Sequence, residues 1–176
     1  MNGTTLFVTT DNGKGMETKL RITLMEGLLT RHQKTNLAAD TKVGTLLGII
    51  TTMLAILAAL VTHLGEMPTW VVILTALTAI GLLTGLLFLS FSSAPRTSRP
   101  SHSLVYFGSI SRTSVETYVE RVKTVSEDEF LEDLIRQCHR TAEIATQKYV
   151  WIQRAQWAWY VSLLPWLLTV FHLYRH

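Results

Sequence analysis

VGTLLGIITTMLAILAALVT at 43–62 and MPTWVVILTALTAIGLLTGLLFLSFSSA at 67–94 decide the fold: twenty and then twenty-eight residues without an ionisable side chain. Only His63, Leu64, Gly65 and Glu66 separate them. An α-helix rises about 1.5 Å per residue, so about twenty apolar residues cross about 30 Å of hydrocarbon. The two stretches predict a helical hairpin through a membrane, turned at Gly65-Glu66-Met67-Pro68. That reading removes most soluble-enzyme classes and turns the question to what the membrane segment serves.

The charges are segregated around this hairpin. Charged residues are 16% of the 176-residue chain, against about 25% in an average soluble domain. Lys42 is the last base before the hairpin and Arg96 the first after it. Six Lys and Arg precede the hairpin, none lies in its turn, and nine lie between Arg96 and Arg154. The positive-inside rule therefore puts both hairpin ends, and the N-terminus, in the cytoplasm. A bacterial inner membrane is the expected location. The net charge of +3 is accounted for by this topology and gives no reason to expect nucleic acid. A single cysteine, Cys138, excludes an internal disulfide and a cysteine-built zinc site. The first long apolar run begins near residue 43, far from where a secretory signal would start, so the hairpin is expected to insert and stay.

Working outward, residues 1–15 predict disorder. A helix is expected from Met16 to about Asp40, with Leu20, Leu24, Met25, Leu28 and Leu29 on one side at steps of three and four. It either packs on other cytosolic helices or lies on the bilayer surface. The spans follow at about Val43–His63 and Trp70–Phe91, then a Ser/Pro/Arg-rich linker at 92–103. Leu104–Ile110 predicts a short strand or an extended segment. A short helix is expected at about Ser114–Val125. Ser126 and Glu129 then form an S-x-x-E capping box before a long helix. Leu131, Ile135, Cys138, Ala142, Ala145, Tyr149 and Ile152 recur in it at steps of four and three, a coiled-coil-like seam. Ala155–Tyr174 is a third apolar stretch, either a crossing or a re-entrant or interfacial helix. The expected fold is an all-α integral membrane protein: a two-helix transmembrane hairpin, cytosolic helices and a third C-terminal apolar helix. Its regions are 1–42 (tail and amphipathic helix), 43–92 (hairpin), 93–154 (cytosolic helices) and 155–176 (C-terminal membrane helix).

Few motifs carry chemistry. Gly44 with Gly48, and Gly81 with Gly85, are two Gly-x-x-x-Gly pairs that let another backbone approach closely. They serve either subunit contacts in an oligomer or packing between the two hairpin helices. Thr45, Thr51, Thr52, Thr75, Thr78 and Thr84 either line a pore or return their hydroxyls to their own helix carbonyls. Neither span holds an intramembrane charge, which counts against active transport. The six histidines show no metal-ligand spacing, and no nucleophile–base arrangement or phosphate loop is present, so neither catalysis nor a cofactor is expected. Arg136, Arg140 and Lys148 share one helical stripe, and with Arg112 they are the candidate ligand residues: guanidinium groups suit an anion. The alternatives are intrahelical pairing, for example Glu132 with Arg136, and attraction to anionic headgroups.

Three segments together resemble a known family. They are KTNLAADTKVG at 34–44, YFGSI at 106–110, and DEFLEDL at 128–134 leading through Ala142, Ile144, Ala145, Lys148 and Tyr149 to a final apolar helix. Over roughly residues 30–174 the chain is similar to the transmembrane-type Pycsar effectors of bacterial antiphage defence. The resemblance implies a non-enzymatic membrane effector whose functional partner is a pyrimidine nucleotide cyclase. The implied signal is a pyrimidine cyclic mononucleotide, cyclic UMP or cyclic CMP, and the implied response is impairment of the inner membrane. The expected mechanism is ligand-biased repacking of the hairpins in a homo-oligomer. The alternative is a membrane scaffold of a plasmid-transfer or secretion apparatus.

Overall fold

The computed structural model describes residues 9–62, 68–94 and 103–175, with side chains from Met16 onward. Five helices make it up: α1 (Thr9–Val61), α2 (Thr69–Ser93), α3 (Phe107–Ile110), α4 (Val115–Thr124) and α5 (Glu127–Arg175). No strand occurs among the described residues. The expected 43–62 span is the last part of α1, an unbroken helix of 53 residues. Residues 9–15, expected to be disordered, form its first turns. The expected cytosolic helix from Met16 is thus continuous with the apolar 43–61 stretch. Leu104–Ile110 holds the short helix α3 instead of a strand: Gly108 and Ser109 are poor strand formers, and Tyr106 O accepts the amides of Ser109 and Ile110. The turn residues Gly65, Glu66 and Met67, and 95–102 of the linker, lie outside the described residues.

Two compact units divide the chain. One joins Met1–Thr35 with Arg96–Ile144, the other Asn36–Pro95 with Ala145–His176. They are called here the charged and the apolar unit. α1 and α5 continue through the boundaries expected at 42/43 and 154/155.

In the charged unit α1 and α5 run parallel. Lys19 faces Glu127 at 3.7 Å, and the Cys138 thiol donates to Met25 O at 3.3 Å. The inward positions of α1 are Thr18, Ile22, Met25, Leu29 and His32, and those of α5 are Leu131, Leu134, Cys138 and Thr141. Both series alternate steps of three and four, the spacing of a coiled-coil seam. The expected apolar side of the first helix is therefore rotated: Met25 and Leu29 point inward, whereas Leu20, Leu24 and Leu28 are exposed. The expected α5 seam is half right. Leu131, Cys138, Ala145 and Ile152 are buried, but Ile135 is 49% exposed and Leu134, one step earlier, only 1%. Thr141 and Lys148 hold the matching later positions. Their polarity drew the sequence reading to the neighbouring Ala142 and Tyr149.

The apolar unit is a three-helix bundle. α1 and α5 are again parallel, since Asp40 meets Lys148 and Met53 meets both Trp159 and Trp166. α2 runs antiparallel to α5: Trp70 packs on His172 with ring centroids 4.6 Å apart, Gly81 lies against Ser162, and the Ser92 hydroxyl donates to Lys148 O. Ile50, Leu82, Leu89 and Ile152 form the centre of the core. The fully buried set also includes small polar groups, Thr78, Ser92, Ser162 and Thr169. The outside is more apolar than a water-soluble surface: Ile73, Leu77, Ile80, Leu83 and Leu87 of α2, and Val161, Leu164, Leu167 and Phe171 of α5, are all about half exposed or more. The third apolar stretch is thus not a separate helix but the last part of α5, which continues through Pro165 although that residue offers no N–H to Val161 O. Among the described residues two helical segments are long and apolar enough to cross a membrane, Met16–Val61 and Thr69–Ser93.

Candidate functional site

A polar site lies where α4 turns into α5. Ser114 caps α4, its Oγ accepting Thr117 N at 3.3 Å. The expected capping box closes at the start of α5: Glu129 N donates to Ser126 Oγ at 3.3 Å, and Ser126 N to Glu129 Oε2 at 3.1 Å. These bonds, the backbone one foremost, hold the Glu129 carboxyl below its ordinary pKa. The segment 103–106 is tied over this corner. Asp133 Oδ2 accepts Leu104 N at 2.7 Å and the Ser103 hydroxyl at 3.0 Å. Ser103 Oγ accepts Tyr106 N at 2.9 Å and Gln137 Nε2 at 3.2 Å, and the Tyr118 hydroxyl donates to Leu104 O at 3.2 Å. Ser103 and Gln137 are buried, so each bond also avoids the cost of an orphaned polar group. Between these elements lies a cavity of about 390 Å³, lined by Leu104, Arg121, Thr124, Val125, Glu129 and Asp133.

The four bases expected to take a ligand are not gathered at this cavity. Arg112 is exposed. Arg136 is paired within its helix, its Nε donating to Glu132 Oε1 at 3.2 Å. Arg140 donates to Glu143 at 2.9 Å. Lys148 belongs to the apolar unit, where its half-buried ammonium bonds Asp40 at 2.7 Å. The base that reaches the cavity is Arg121. It is one of the nine Lys and Arg between Arg96 and Arg154, and no sequence pattern distinguishes it, because nothing local reveals that 103–106 folds over the corner. Cys138 is buried and its thiol pKa is raised by desolvation. No group of three His, Cys, Asp or Glu side chains that could hold a metal ion occurs among the described residues.

The glycine pairs separate into two environments. A Cβ on Gly81 would lie 2.0 Å from Ser162 Oγ, and one on Gly85 3.1 Å from Ile50 Cδ1 and 3.7 Å from Ala155 O. That pair admits the close approach of α2 to its neighbours inside the bundle. Gly44 and Gly48 have nothing within 4 Å of such an atom and lie on the bundle exterior. Thr45, Thr51, Thr52, Thr78 and Thr84 return their hydroxyls to their own helix carbonyls four residues back. The sixth, Thr75, has a buried hydroxyl oxygen without a partner, as does Thr169 of α5.

Comparison with known protein families decides the assignment. The family model described as the Pycsar effector protein domain matches residues 24–175. The chain belongs to that family. The Pycsar effector chain is thereby an effector of cyclic-nucleotide-based antiphage defence, a family of effectors and not of known enzymes, and its signal is a cyclic pyrimidine nucleotide supplied by a cyclase. The family and the two apolar helices together point to a membrane. No curated protein and no solved structure matches the chain.

Proposed function

We propose that this Pycsar effector sits in the bacterial inner membrane with its N-terminus in the cytoplasm, responds to cyclic UMP or cyclic CMP, and impairs the membrane as a homo-oligomer. Three segments cross: 43–61 of α1, 69–93 of α2 and 155–174 of α5. The observation that carries this reading is the register of α5 on α2. Ser92 meets Lys148 at one end and Trp70 meets His172 at the other. At 1.5 Å per residue those stretches are about 33 and 36 Å long, each enough for a hydrocarbon core of about 30 Å. A segment that accompanies a spanning helix over its full length, with large apolar groups outward, shares its solvent. Three crossings leave one base, Arg175, on the far side, in keeping with the charge rule. Gly44 and Gly48, open on the exterior, are the natural place for a second copy to approach.

The test is uptake of a membrane-impermeant dye by bacteria expressing the chain together with a pyrimidine cyclase. Active cyclase is expected to cause dye uptake, and an inactive cyclase none. Sealed membranes under active cyclase, with the effector present in the membrane fraction, would reject the reading.

A further inference from the structure

The cavity at the α4–α5 corner has the size and polarity of a small-ligand site, and its charges restrict what can enter. We propose that it binds a single nucleotide carrying one negative charge, with the phosphate on Arg121 and hydrogen-bond donors of the sugar or base on Glu129 and Asp133. This deepens the functional reading above, on which the choice of a nucleotide rests.

The argument runs from the lining. About 390 Å³ is at the small end of ligand sites, which run from about 300 to 1,000 Å³. It suits one nucleotide and is too small for two linked ones. Arg121 is the cation of the lining, and a guanidinium suits a phosphodiester because it can donate two parallel bonds. Glu129 and Asp133 are carboxylates whose existing partners all donate to them: Ser126 N to Glu129, Leu104 N and Ser103 Oγ to Asp133. An ionised carboxylate accepts about four hydrogen bonds, so each retains capacity for an N–H or O–H. The same two charges repel a triphosphate. A cyclic mononucleotide has one phosphate charge, a 2′-hydroxyl and, in uracil or cytosine, an N–H donor, while Leu104 and Val125 supply apolar surface. The site also has a mechanical consequence. α4, the start of α5 and the 103–106 segment all contribute to its wall, so a ligand there bears on the helix that continues into the apolar unit.

The test is calorimetric titration of the full-length, detergent-solubilised protein with cyclic UMP and cyclic CMP, and with UTP and a cyclic dinucleotide as comparison ligands. Binding of one cyclic mononucleotide and not of the comparison ligands is expected. Arg121→Ala should weaken it about tenfold or more, the loss expected for a charge-assisted bond, and Arg121→Lys should weaken it less. Thr124→Trp, which fills the cavity without removing a charge, should abolish binding. Arg112→Ala and Arg136→Ala should leave it within about twofold, and an unchanged circular dichroism spectrum shows that each variant is folded. Wild-type affinity in Arg121→Ala and Thr124→Trp overturns this site, as does tighter binding of UTP. If those variants bind normally while wild type still admits dye under active cyclase, the site alone is wrong. If wild type binds the nucleotide yet leaves membranes sealed, the functional reading fails and the site stands.

Discussion

Gly81 and Ser162 show how little space separates α2 from α5. A methyl group on Gly81 would fall on Ser162 Oγ and 3.3 Å from its Cβ, so the hydroxyl must rotate off its bond to Ala158 O and the two helices must give slightly. Gly81→Ala is expected to destabilise the bundle by about 1–3 kcal/mol, the usual cost of overpacking, measured as unfolding in mixed micelles. Adding Ser162→Ala removes the hydroxyl and leaves Cβ of residue 162 at 3.3 Å, so the double variant should recover part of the loss. Full additivity of the two single effects would show that the residues do not meet. Gly44→Leu, with open space around it, should not change unfolding, and any effect should appear in cross-linking between copies. Thr75 and Thr169 carry the opposite expectation. Their buried, unpartnered hydroxyls each cost about 1–3 kcal/mol, so Thr75→Val and Thr169→Val should each raise stability. A fall would mean that water or a partner satisfies those oxygens. Glu129 sets a pH dependence. Its carboxyl titrates below the ordinary 4.5, so its cap is fully present above about pH 4.5 and is lost as pH falls through the lowered value. Amide protection at 126–130, corrected for intrinsic exchange, should drop over that range in wild type and stay level in Glu129→Gln.

The helices were legible in the sequence to different degrees, and the reason is physical. The start of α5 was read correctly because Ser126 and Glu129 act through bonds spanning three residues, a distance that sequence displays directly. The apolar helices were legible because lipid leaves few alternatives for uncharged stretches. What could not be read was rotation. The α5 seam passes through Thr141 and Lys148, and the inward face of α1 through Thr18 and His32, so choosing the most apolar stripe turned both helices by about one position. Long-range ties such as Asp133 to Leu104 were illegible for the same reason: no local pattern specifies them, and the ligand residues chosen from a helical stripe missed Arg121. Lys148 illustrates the energetics of such a seam position. Its side chain is 18% exposed and Asp40 53%, so the ammonium depends on its partner more than the carboxylate does. Asp40→Ala should therefore destabilise the apolar unit more than Lys148→Met, by about 1–2 kcal/mol. A charge-reversed pair, Asp40→Lys with Lys148→Asp, should recover part of the loss. Equal effects of the two single variants would place the cost elsewhere.

At the scale of the molecule the solvent decides the arrangement. In the apolar unit small and hydroxyl-bearing groups (Gly81, Gly85, Ala155, Ser162, Thr169) face inward beside Ile50, Leu82, Leu89 and Ile152, while other large apolar side chains (Ile73, Leu77, Ile80, Leu164, Phe171) face out. In water that distribution would invite aggregation. In lipid it is the stable one, because apolar surface gains nothing from burial there and close backbone packing supplies the attraction. The Trp166 indole is satisfied inside the bundle by Met53 O at 3.1 Å, an arrangement compatible with hydrocarbon around it. These facts give the last prediction its form. If 155–174 is as much in lipid as α2, the two ends of that stretch lie on opposite sides of the membrane. In a Cys138→Ser background, Tyr174→Cys should react from outside the cell with a membrane-impermeant maleimide, and Glu120→Cys only after the membrane is opened. Both positions are exposed, so access to the reagent and not burial controls the result. Labelling of position 174 only after permeabilisation would put both ends of the stretch on the inner side. The last part of α5 would then have to leave its register on α2, contrary to the contact of Trp70 with His172.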